Sequence, residues 1–237
     1  MPDEDREKST EISISVLDTK AVAKAVDKIS SFLGTVFGPA AHEFSLLLQQ
    51  QFAYYRYKNL LNIVDKTEKL RAANPDLAGK VIHPRLIYKA MELGSWADDD
   101  EVHQLWAGLL ASSSTEDGKD QSNLIFMNLL DQMTSSEVKI LTHVCASVKF
   151  ETSPHGLVTA KETVTLTTNQ LTAITGEQDI IQLDRDLDHL NTLGLLEGVF
   201  DAEDDSAPLW PTALAINLYV RGAQASRLAP VDYFKLR

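Results

Sequence analysis

Residues 179–200 read DIIQLDRDLDHLNTLGLLEGVF, an amphipathic helix that runs through Leu-Gly-Leu-Leu into a strand. Ile180, Leu183, Leu187, Leu190 and Leu193 recur at steps of three and four and so share one side, which leaves Asp184, Asp186 and Asp188 to point outward. The elements on either side set this helix in a recognisable order. Thr134-x-x-Glu137 is a capping box that opens a helix over 138–148; a strand follows at 163–166; Thr167-x-x-Gln170 caps a second helix, which Gly176 ends. After the acidic helix come a strand at 195–200, a loop at 201–207 holding Asp204 and Asp205, a short strand near Leu209 and Trp210, and a closing helix over 213–224. Helix, strand, helix, helix and two-stranded wing is winged-helix order, with carboxylates where a DNA reader would present its recognition face. Phosphate contacts supply most of the affinity of ordinary DNA binders, so this face is expected to select polypeptide over nucleic acid.

Upstream the chain reads as helical. Over 19–33, Val22, Ala25, Val26, Ile29, Phe32 and Leu33 line one side, and Gly34, Gly38 and Pro39 are expected to break the helix. Residues 40–74 contain neither Gly nor Pro and are compatible with one helix of about 35 residues, about 50 Å long. Shorter helices are expected over 84–93, 102–112 and 123–133, the second entered through Asp98, Asp99, Asp100 and Glu101, whose carboxylates suit a helix N-terminus. The expected organisation is a flexible acidic leader over 1–18, a helical bundle with a long helix over 19–134, and a winged-helix-like α+β domain over 135–237, in a mainly α protein.

The net charge of −12 is unevenly placed. Residues 1–97 hold 13 Lys and Arg against 12 Asp and Glu, a balance of +1, whereas residues 98–237 hold 9 against 22, a balance of −13. Within the first part, residues 56–89 carry eight basic side chains against three acidic ones. Arg56, Lys58, Lys66, Lys69 and Arg71, interleaved with Tyr54, Tyr55 and Tyr57, are candidates for an anion, nucleic-acid or lipid-headgroup contact. Asp184, Asp186, Asp188, Asp204 and Asp205 are the candidates for a protein contact, and the polarity of the chain points to docking between copies or onto a charged partner. No apolar h-region follows the polar start, and the longest uncharged run of the N-terminal half, residues 29–41, has 13 residues against the roughly 20 that cross a bilayer. Cys145 is the lone cysteine, which excludes an internal disulfide, and a cytoplasmic protein is expected, with peripheral contact at the inner membrane face as a variant.

No catalytic constellation emerges. The six histidines are scattered without an HExxH pair, and no Walker, GxGxxG or GxSxG motif occurs. Asp98, Asp99, Asp100, Glu101 and His103 could hold a divalent cation, but helix starts gather such carboxylates without one, so no metal or other cofactor is assigned. His143 and Cys145 are two apart on a helix and face different directions. No small-molecule substrate is indicated.

Gly38-Pro39-Ala40-Ala41 before the long helix, Tyr54 to Asn59 (YYRYKN) with Lys66 and Lys69, the acid-rich lead into Leu105-Trp106-Ala107-Gly108-Leu109-Leu110-Ala111, and the helix pair around 123–141 together resemble the Abi-alpha (abortive infection alpha) family of bacterial proteins, over about residues 20–145. The resemblance implies a mostly helical bacterial protein linked to phage defence and brings no catalytic residue with it. The expectation is therefore a non-enzymatic defence component acting through a protein partner or its own copies; a winged-helix DNA-binding regulator is the alternative.

Overall fold

The computed structural model describes residues 16–37, 54–201 and 203–235. The leader and the first half of the expected 40–74 helix therefore fall largely outside the described residues. Val16–Phe37 forms helix α1, so residues 16–18 belong to a helix rather than to a flexible leader. Helix α1 also passes through Gly34 without breaking. Ile29, Phe32, Leu33 and Val36 are buried on that stretch, and their packing outweighs the roughly 1 kcal/mol that a glycine costs in a helix.

The second half of the expected long helix is α2 (Tyr54–Ala73), which lies along α1 and buries Tyr57, Leu60, Ile63 and Val64. Helix α3 (Pro84–Glu92) starts where Pro84 occupies the first turn and the His83 Nδ1 accepts the Arg85 amide at 3.1 Å. Helix α4 (Asp100–Ser112) is capped by Asp99, whose carboxylate accepts the amides of Glu101 at 2.8 Å and Val102 at 3.4 Å. Helices α5 (Leu124–Gln132) and α6 (Ser135–Ser147) follow. Helix α4 is the axis of the molecule: Val102, Leu105, Trp106, Leu109 and Leu110 are buried, and α2, α3, α5 and α6 all pack on it.

Beyond α6 the chain forms a hairpin of β1 (Phe150–Thr152) and β2 (Val158–Ala160), antiparallel with Phe150 opposite Ala160. Its strands have three residues each, too few for alternation to register in the sequence. Then come β3 (Val164–Thr167), α7 (Thr168–Thr175), α8 (Ile180–Thr192), β4 (Leu196–Glu197) and β5 (Ser206–Pro211). Both expected capping boxes form, and Gly176 ends α7 at φ 82°. The three strands make an antiparallel sheet in the order β3-β5-β4, with Val164 opposite Leu209 and Glu197 opposite Trp210. The result is a mostly helical protein with a small sheet region in its C-terminal half.

The closing helix expected over 213–224 is α-helical only through α9 (Ala213–Leu218) and continues as a π-helical turn over Tyr219–Ala223. This turn lays Gly222 against α4. A Cβ built on Gly108 would stand 1.7 Å from the Gly222 carbonyl oxygen, so the two backbones meet where no side chain fits. A last helix, α10 (Pro230–Lys235), stacks Phe234 on Phe150 with ring centroids 4.1 Å apart. One apolar core runs from Ile29 of α1 to Tyr233 of α10 and includes Trp106, Leu141, Leu187 and Leu209 on the way.

A buried polar group fixes α8 onto α6. The Glu137 carboxylate accepts the Thr134 amide through Oε2 at 2.6 Å, closing the capping box, and accepts the His189 Nδ1 through Oε1 at 2.6 Å. Asp186, on the same side of α8, is 3% exposed, with Oδ1 accepting from Gln182 at 2.7 Å and Oδ2 lacking a partner among the described residues. Asp186 thus faces inward, contrary to the outward position its spacing predicts: it lies three residues after Leu183 and four before Leu190, on the buried side of the helix.

Gly108→Ala is expected to lower stability by about 3 kcal/mol in urea unfolding, because backbone must move to admit the methyl group; an unchanged midpoint would show that the two chain segments do not meet there. Burial, reinforced by Glu137 and Glu177 and opposed by the Gln182 hydrogen bond, raises the Asp186 carboxyl above the ordinary aspartate range. A raised folded-state value means that the folded protein holds this proton more tightly than the unfolded chain, so ionising Asp186 destabilises the fold as pH rises. Asp186→Asn is accordingly expected to be more stable than wild type at pH 7, with the difference shrinking below about pH 4, in urea titrations across that range. Equal loss of stability at both ends would contradict it.

Candidate interaction surfaces

The exposed side of α8 carries Ile181, Asp184, Arg185 and Asp188, positions three and four apart that form one ridge. Asp184 and Asp188 make no ion pair among the described residues, and Arg185 donates to the Gln182 side chain instead of reaching either of them. The ridge is therefore net negative, with Arg185 the one cation on it. Asp204 is also exposed, its amide held by Asp201 Oδ1 at 3.3 Å. Asp205 is occupied within the fold. At φ 47° its carbonyl accepts the Thr168 amide at 3.2 Å and its carboxylate accepts the Thr168 hydroxyl, tying the β4–β5 loop to the start of α7. Of the five acidic candidates, Asp184, Asp188 and Asp204 thus face solvent together with Glu197 and Glu203, while Asp186 and Asp205 hold the fold.

Ile180 corrects the sequence reading in the opposite sense. Expected on the buried stripe, it is 42% exposed at the first turn of α8, and its neighbour Ile181 is 66% exposed. The two isoleucines, Asp184 and Phe200 line a shallow cavity of about 330 Å³, and Val199 is exposed next to Phe200 in the chain.

The basic candidates divide by what the fold does with them. Arg56 lies over the Trp96 ring, 4.5 Å from its centroid, and donates to Ser95 Oγ and to the Glu92 carbonyl, each at 2.9 Å. Desolvation lowers its pKa, against the pull of Glu92. Arg71 donates to the Lys80 carbonyl at 2.7 Å and to the Ser114 hydroxyl, joining α2 to two loops, and burial lowers its pKa as well. Lys66 pairs with Asp100 at 2.9 Å. Lys58 and Lys69 are exposed, and their separation of eleven residues places them on one side of α2. The sequence thus locates the cations but not their employment, since the carbonyls and carboxylates they meet are more than thirty residues away in most cases.

The acidic cluster ahead of α4 is also structural. Asp99 caps the helix and pairs with Lys139 at 2.9 Å; burial works to raise its carboxyl, but Lys139 and the amides of Glu101 and Val102 hold it below the ordinary range. His103 is buried and donates from Nε2 to the Ala97 carbonyl at 2.8 Å. No group of three or more His, Cys, Asp or Glu is placed to hold a metal ion among the described residues. Cys145 is fully buried and desolvation raises its thiol pKa, while His143 is exposed, so the two do not form a thiol and base pair. No described helix is long and apolar enough to cross a membrane.

No curated protein and no solved structure matches the chain. A family model, abortive infection alpha, matches residues 55–207, more than half of the chain. The matched span begins later than the resemblance read from the sequence and runs further, from the first turn of α2 through α8 to the start of β5. Gly38 to Ala41 therefore lie outside it, whereas the acidic ridge lies within it. The chain belongs to the abortive infection alpha family.

Proposed function

We propose that this chain is a non-enzymatic component of bacterial antiphage defence that works through protein contacts on the acidic face of a winged-helix-like unit. Family membership supports the defence role. The order α6, β3, α7, α8, β4, β5, with the sheet ordered β3-β5-β4, supports a winged-helix-like unit within 135–237, appended to the helical part over 19–134. Helix α8 then stands where such units carry their recognition helix.

The observation that carries the reading is the net negative ridge of Asp184 and Asp188 on that helix, whose carboxylates make no ion pair among the described residues. Carboxylates there repel a phosphate backbone with only Arg185 beside them, and of the α2 cations Arg56 and Arg71 are held in internal contacts and Lys66 pairs with Asp100. Of the five candidate cations on α2, that leaves Lys58 and Lys69 exposed. A polypeptide with basic side chains is the complementary partner.

Phage challenge of cells expressing the protein tests this directly, scored for plaque reduction and host death. Reversing the ridge with Asp184→Lys and Asp188→Lys is expected to abolish protection while leaving abundance and unfolding midpoint unchanged, because both side chains are exposed and unpaired; full protection by that variant would refute the reading. For the DNA-binding alternative, the expected outcome is no mobility shift with duplex DNA at about 50 mM salt, where phosphate contacts are strongest. A shift that weakens with added salt would favour the regulator.

A further inference from the structure

The apolar recess on α8 sits within the negative surface. Ile180, Ile181 and Phe200 form its walls and Asp184 its polar edge, with Asp188 one turn further along the helix. Whatever covers it must bring an apolar side chain for the recess and cations for the rim. Covering itself across a two-fold axis would bring four carboxylates together with only the two Arg185 side chains to offset them. The parts of this chain outside the described residues offer few cations, Arg237 being the one at the C-terminal end. Residues 1–15 hold five acidic residues against Arg6 and Lys8, and residues 38–53 contain Glu43 with no Lys or Arg.

A ridge with the required pattern exists elsewhere on the molecule. On α3, Tyr88 is 45% exposed and stands between Arg85, three residues before it, and Lys89, one after. Arg85 and Lys89 are four residues apart, the same spacing as Asp184 and Asp188, so two helices laid side by side bring opposite charges into register. Neither cation forms an ion pair among the described residues; Arg85 reaches only the Gln121 side chain at 3.4 Å. Glu92, the acid on this ridge, lies beside Arg56, which offsets it. Helix α3 packs on α4 and α5 while α8 packs on α6, so one copy can offer both faces at once.

We infer that the recess is occupied by a second copy of this chain, whose α3 ridge places Tyr88 against Ile180, Ile181 and Phe200 and sets Arg85 and Lys89 against Asp184 and Asp188. The contact is head to tail, so each bound copy leaves a further face open, and assembly proceeds to a ring or a filament. This rests on the reading of the acidic face as a protein-contact surface and names its occupant.

Sedimentation of the full chain over a range of concentrations is the test. At about 50 mM salt the mass is expected to rise with concentration, and at about 500 mM to fall toward the monomer as the rim charges are screened. Asp184→Lys with Asp188→Lys, and separately Arg85→Glu with Lys89→Glu, are each expected to weaken association about tenfold or more through like-charge contact. An equimolar mixture of the two variants is expected to regain it, since each then offers the face complementary to the other. Three results would overturn the inference: a wild-type monomer at every concentration in low salt, undiminished association of either variant alone, or no recovery in the mixture when both variants keep the wild-type unfolding midpoint. A monomeric wild type whose protection against phage is nevertheless lost on reversing Asp184 and Asp188 would leave the acidic face as a protein contact and make its occupant a different polypeptide.

Discussion

The Glu137 carboxylate is the constraint on which the C-terminal half of the molecule depends. It is 1% exposed, and one oxygen closes the N-terminus of α6 while the other receives His189 from α8. A buried carboxylate is tolerated only when its oxygens are satisfied, so the cap and the helix contact support one another. With His189 fixed, the rotation of α8 is fixed: Leu183, Leu187 and Leu190 turn to the core, and Ile181, Asp184 and Asp188 are left outside. The outer surface of the helix is thus set by a polar contact on its inner side.

That contact also explains what the sequence discloses and what it withholds. Local signals are legible: the boxes at Thr134 and Thr167, the acid-capped start of α4 and the end of α7 at Gly176 depend on residues within one turn of each other. The apolar steps of α8 are legible for the same reason. Asp186 escapes such a reading because an apolar stripe shows where the core lies but not that a carboxylate has been admitted into it with Gln182 as partner. Ile180 escapes it because it keeps the three-residue step to Leu183 and yet stands exposed at the first turn. The hairpin of β1 and β2 and the π-helical turn leave no periodic trace, the former for want of length and the latter because the backbone it meets, at Gly108, lies more than a hundred residues earlier.

Charge is legible in amount rather than in function. The basic stretch on α2 invites an electrostatic role, yet its two arginines are fasteners that satisfy carbonyls at the end of α3 and in the loop before it. Guanidinium groups suit such fastening, since their fixed forks reach several acceptors and their planes stack on rings such as Trp96. The tail differs because its carboxylates outnumber its cations so heavily that internal pairing cannot absorb them. Surface that remains charged after the fold has taken what it needs is the more informative kind.

The family match ends at residue 207, one residue beyond the first of β5, whereas that strand continues to Pro211 and pairs with β4 only through its last residues. The Gly222 backbone that nests on Gly108 lies further still along the chain. The boundary of shared sequence and the boundary of the folding unit are therefore different places. A fragment trimmed to the shared span would lose the middle strand of its sheet, bare the flank of α4, and offer sticky edges that mimic genuine association.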